Sequence, residues 1–145
     1  MEHNSSTIHT AIAQPAAGRG FRAVLWSAQI ALAIVFALAG GMKTFMPSAE
    51  LASTAHGFPV AFFRFLGIVE LAASLGLILP ALTRIAPVLT PLAASGLVVV
   101  MAGAAVLHLV RGELASVVLV VVLGALACLV AWGRFKRAPI AGRLL

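Results

Sequence analysis

Glu70 is the residue of this chain whose position most demands a chemical explanation. It stands ten residues beyond Val60, inside an apolar run, which is roughly 15 Å along a helix. A carboxylate in such surroundings is costly, so it must be paired, hydrated or protonated. A carboxyl of that kind is suited to general acid or base work. Arg64 lies six positions earlier in the same run. The two point about 120° apart on a helix, but Gly67 between them is small and both side chains are long. A direct or water-bridged pair is expected, with outward snorkelling of Arg64 as the alternative. Lys43, His56, His108, Arg111 and Glu113 fall at the ends of apolar runs that share one side of such an arrangement. With Arg64 and Glu70 they are candidates to line a polar pocket opening outward. That pocket suits an amphipathic molecule with its apolar body between helices and its polar head on these residues. The competing reading is an ion-pair network that only fixes helix register.

Other chemistry is weakly signalled. His56 and His108 have no metal-ligand spacing, so they read as interfacial side chains and no metal site is expected. Ser74, Ser95 and Ser116 are better suited to bonding backbone carbonyls than to nucleophilic attack. No P-loop, GxGxxG, HExxH or CxxC motif occurs. The one cysteine, Cys128, allows no intrachain disulfide. Transport readings call for more helices, or for repeats with helices broken at the midplane, and neither is present.

The elements that must position these residues follow from composition. The chain has 145 residues, 62% hydrophobic and 10% charged, with a net charge of +6. A soluble domain of this length is nearer half apolar and a quarter charged, so the natural solvent is a bilayer. The basic residues cluster at the ends of apolar runs, where they set topology and meet anionic headgroups rather than nucleic acid.

The expected fold class is all-α, an integral membrane four-helix bundle. Residues 1–20 read as a flexible cytoplasmic tail, 21–134 as the transmembrane domain, and 135–145 as a basic cytoplasmic tail. The helices are expected at about 23–42, 60–79, 85–109 and 114–132. Each is long enough for a hydrocarbon core of about 30 Å. The first run resembles a signal sequence with an Ala37-Leu38-Ala39 cleavage site, but it is longer than the usual apolar core; an uncleaved helix is expected. Ser48 is placed as the cap of a short surface helix reaching His56, with Gly57 after it. Pro80 is placed at the end of the second long helix, and Pro87 and Pro91 in the first turns of the third. With the N-terminus inside, Arg19, Arg22, Arg84, Arg134, Lys136, Arg137 and Arg143 fall inside and Lys43, Arg64 and Arg111 outside. That balance predicts two cytoplasmic termini.

Each run carries a stripe of small or polar residues at helical spacing. These are Gln29, Ala33, Phe36, Gly40 and Lys43; Gly67, Glu70, Ser74 and Leu77; Gly96, Val100, Gly103, Ala104, Leu107, His108 and Arg111; and Ser116, Val120, Gly124, Ala127 and Ala131. Small residues let membrane helices approach closely, so the stripes are expected to face inward. They allow homo-oligomers without requiring them.

Several motifs carry a resemblance. Gly40-Gly41-Met42-Lys43 closes the first run; Arg64-Phe65-Leu66-Gly67-Ile68-Val69-Glu70-Leu71 and Gly76-Leu77-Ile78-Leu79-Pro80 make the second. Thr90-Pro91-Leu92-Ala93-Ala94, Met101-Ala102-Gly103-Ala104, His108 with Arg111-Gly112-Glu113, and Trp132-Gly133-Arg134 follow in order. The chain resembles the DoxX-like family of bacterial four-helix membrane proteins, from the first helix to Arg134. The resemblance implies a multi-pass protein of the bacterial plasma (inner) membrane. Some relatives are partners of quinone-linked sulfur oxidation or of redox-stress enzymes. Lys43, Arg64, Glu70 and His108 match the family's recurring polar positions. Three functions stand side by side. The first is a redox-associated subunit holding a quinone or similar lipophile, with membrane lipids and a redox-enzyme subunit as partners. The second is a non-catalytic assembly subunit. The third is a membrane enzyme with Glu70 as acid and Arg64 or His108 as support.

Overall fold

The computed structural model describes residues 17–55 and 57–143. Within them the chain forms five helices: α1 (Arg19–Phe45), α2 (Ser48–Thr54), α3 (Val60–Thr83), α4 (Leu89–Val110) and α5 (Leu114–Trp132). A single π-helical turn, Gly133–Arg137, prolongs α5. Four of these, the prolonged α5 among them, are long and apolar enough to cross a membrane. The protein is an all-α bundle. Of the tail expected over residues 1–20, residues 1–16 lie outside the described residues, as does His56, while Arg19 and Gly20 already belong to α1.

The four long helices alternate in direction and close into a ring. α1 packs on α3, α3 on α4, α4 on α5, and α5 returns to α1. Leu32, Phe36, Leu77, Leu97, Val120 and Val130 meet in the centre. Large apolar side chains point outward instead, among them Leu38, Ile68, Val99 and Val118. Such a surface is stable against lipid and unstable against water.

Helix ends differ from the expected ones for identifiable reasons. α3 does not stop before Pro80 but runs on to Thr83. A proline inside a helix removes one N–H, here the donor to the Gly76 carbonyl, and strains one turn, yet α3 continues past it and its last carbonyls find donors. Thr83 Oγ1 donates to the Leu79 carbonyl at 2.7 Å, and the Arg84 amide to that of Pro80 at 3.0 Å. Arg84 then ends the helix in the left-handed region. α4 starts at Leu89 rather than Ile85, because Ala86 has φ +46° and Pro87 disfavours helix in the residue before it. Pro91 does fall in the first turn, as expected. Ser48 opens α2 but is not its cap; Pro47 holds that place, and the helix ends at Thr54. Gly57 takes φ +89° in the turn that follows.

The inward stripes hold on three helices. Gln29, Phe36 and Gly40 are buried on α1, Gly67, Glu70, Ser74 and Leu77 on α3, and Val120 and Ala127 on α5. The α4 stripe holds only in part: Val100 and Ala104 pack against the core, half-buried. Its buried face is Thr90, Pro91, Ala94, Leu97 and Met101, while Gly96 and Gly103 are exposed. α4 is apolar on every side, so its sequence has no phase to read, and the neighbouring helices choose its inner face.

Candidate functional site

α1 and α3 touch backbone to backbone. A Cβ added to Gly40 would lie 2.7 Å from the Gly67 carbonyl oxygen, and one added to Gly67 would lie 2.8 Å from Lys43 Cβ. Only glycine permits so close an approach. The contact fixes the register of the two helices and brings Lys43, near the end of α1, over Glu70. Lys43 Nζ then lies 2.6 Å from each carboxylate oxygen of Glu70. The Glu70 side chain is only 2% exposed, and that of Lys43 is 25% exposed. The ion pair answers the cost of a carboxylate in a membrane-spanning helix.

Arg64 is not the partner of Glu70. It turns the other way and caps α1, whose last carbonyls have no intrahelical donors. One guanidinium nitrogen donates to the Thr44 carbonyl and, at 3.4 Å, to that of Lys43. The other donates to the Met46 carbonyl at 2.7 Å and to Ser48 Oγ at 3.3 Å. The planar fork reaches several acceptors that a lysine could not. It also ties the start of α2 to α3.

His108 closes a separate, local loop. Its Nδ1 lies 2.5 Å from Glu113 Oε2 across the turn between α4 and α5, where Gly112 takes φ +71°. Arg111 likewise has an interaction partner. The structure therefore joins Lys43, Glu70 and Arg64 into one α1–α3 cluster, and places His108 with Glu113 in the α4–α5 turn. Ser95 Oγ donates to the Pro91 carbonyl at 2.8 Å, the backbone role expected of it.

A second polar centre, which sequence reasoning missed, occupies the opposite end. Gln29 is fully buried. Its Nε2 donates to the Leu77 carbonyl at 2.8 Å, and its Oε1 accepts from Arg134 Nε at 2.7 Å. Arg134 lies over the Trp26 ring, 5.3 Å from its centroid. The available signal was Gln29, a lone amide inside an apolar run. Arg134 stood in the Trp132-Gly133-Arg134 motif, but a basic residue after a membrane span ordinarily reads as a topology signal, so nothing marked it as buried. Near this end α1 and α5 also leave an open apolar groove of about 450 Å³, bordered by Ala23, Ser27, Ala31, Leu126 and Leu129.

A family model described as the DoxX-like family matches residues 27–130. That stretch contains every residue of the α1–α3 cluster and the His108–Glu113 turn. No curated protein and no solved structure matches.

Proposed function

The chain belongs to the DoxX-like family, and from that premise we propose that it is a redox-associated subunit of the bacterial plasma membrane. In this reading it holds a quinone or similar lipophile at the Lys43–Glu70 pair, with both termini cytoplasmic. The observation that carries the reading is the pair itself. An ion pair serving only to join two membrane helices is replaceable by apolar packing at little cost. Lys43 has three N–H donors, two of which Glu70 takes, and its side chain is a quarter exposed. The third donor suits a carbonyl oxygen on a lipophilic head, with Glu70 behind it to exchange a proton. The topology is supported by charge. Arg19, Arg22, Arg84, Arg134, Lys136, Arg137 and Arg143 share the end at which α1 begins and α5 finishes.

The test is chemical. The protein is extracted in mild detergent and its small molecules are identified by mass spectrometry, beside Glu70→Gln and Lys43→Met. A stoichiometric lipophile present in the wild type and lost in both variants supports the site. Equal lipophile content in all three moves the ion pair to a purely structural role.

A second reading, a non-catalytic assembly subunit, is favoured by Arg64, whose donors go to the α1 end and Ser48. Crosslinking in native membranes would then recover one dominant partner protein. Recovery of the chain alone counts against it.

A further inference from the structure

The basic end of the bundle holds a charge that the proposed function does not use. Arg134 belongs to the π turn that prolongs α5, and it is only 6% exposed. Its Nε donates to Gln29 Oε1 at 2.7 Å and its Nη1 to the Ala138 carbonyl at 3.4 Å. Its Nη2 is buried and has no partner. Both Gln29 and the Ala138 carbonyl are neutral, so neither balances the charge.

No carboxylate does so among the described residues. Glu70 is held by Lys43 and Glu113 by His108, and Glu50 sits on α2 at the far end. Burial weighs most against the Arg134 charge, and Arg22, one turn before Trp26 on α1, brings a charge of the same sign to this end. A buried guanidinium without an anion is expensive, and a like charge beside it adds to the cost. Thr90 Oγ1 is a second fully buried group without a partner, in the first turn of α4, which packs against the same π turn.

We propose that Arg134 and Arg22 form a binding site for a phosphate group. The phosphate oxygens accept from Arg134 Nη2 and balance both guanidinium charges, and the Trp26 face keeps the Arg134 plane in position. The segment after Ala138 is mostly exposed, and its far end is pinned by the Arg143 amide donating to the Arg84 carbonyl at 3.0 Å. Phosphate of this kind is offered by an anionic phospholipid headgroup and by free inorganic phosphate.

Trp26 reports on the site, and Trp132 is the only other tryptophan. The full chain carrying Trp132→Phe, in a neutral detergent, is titrated with phosphatidylglycerol in mixed micelles and, separately, with inorganic phosphate. Phosphatidylcholine and chloride serve as controls. The expected result is a saturable change in Trp26 emission that Arg22→Ala weakens about fivefold, the usual worth of one basic residue at an anionic lipid surface. Lys136→Ala, which removes an equal charge from the same end, leaves it unchanged. Arg134→Gln abolishes it; should that variant fail to fold, Arg22→Ala carries the test. A response to phosphatidylglycerol alone assigns a lipid headgroup, and a response to both assigns the free anion as well. No saturable response, or equal weakening by Arg22→Ala and Lys136→Ala, overturns the site in favour of diffuse adsorption.

Discussion

Two neighbouring glycines at the end of α1 should respond in opposite ways to the same substitution. In Gly40→Ala the new methyl would lie 2.7 Å from the Gly67 carbonyl oxygen, 3.0 Å from Glu70 Cβ and 3.0 Å from the Leu71 amide nitrogen. Non-bonded atoms prefer roughly 3.5–4.0 Å, so the helices must part by roughly 0.5–1 Å. Two of the three neighbours are backbone and cannot rotate away. Overpacking of this kind costs about 1–3 kcal/mol. Alanine returns up to about 1 kcal/mol through helix propensity. The shift also stretches the Lys43–Glu70 contact, so the net loss is expected near 1–3 kcal/mol. Gly41 has nothing within 4 Å of its Cβ position. Gly41→Ala therefore keeps the propensity gain alone, up to about 1 kcal/mol. Thermal or SDS-driven unfolding in mild detergent, followed by far-UV circular dichroism, reads both variants against the wild type. If Gly40→Ala proves as stable as Gly41→Ala, the glycine contact does not set the α1–α3 register and the derivation of the ion pair from it is wrong.

Lys43→Met leaves the Glu70 carboxylate buried without its cation and should cost about 3 kcal/mol, most of which returns in the Lys43→Met, Glu70→Met double variant; detergent unfolding of the single and double variants checks it. Arg64→Lys removes the fork that caps α1, so amide exchange in the segment joining α1 to α2 should quicken about tenfold while the centre of α3 stays protected, as hydrogen-exchange mass spectrometry can show. Gln29→Leu leaves Arg134 Nε without its partner and strips the Leu77 carbonyl of its second donor, and should cost about 1–3 kcal/mol; a variant as stable as the wild type would show that water replaces the amide. Gly96→Ala and Gly103→Ala, with no atom near either added Cβ, should hold or raise the unfolding midpoint.

The sequence by itself determined the solvent, the number of spans and most of the inward faces. Length and hydropathy decide these locally, because a bilayer imposes one thickness and forces every backbone group to bond within its own helix. The α1, α3 and α5 stripes were legible since polar and small residues broke their apolar surface at helical spacing. α4 offered no such break, and its inner face was decided by its neighbours. Pairing was likewise beyond the sequence. Glu70 announced that it needed a partner, and Arg64 was the near candidate along the chain. The partner is Lys43, 27 residues away. That choice depends on how far two helices slide past each other and how closely they approach, which the Gly40–Gly67 contact sets. The meeting of Gln29 with Arg134, 105 residues apart, is of the same kind. Periodicity gives the face of a helix, but the axial register between helices exists only once they are packed.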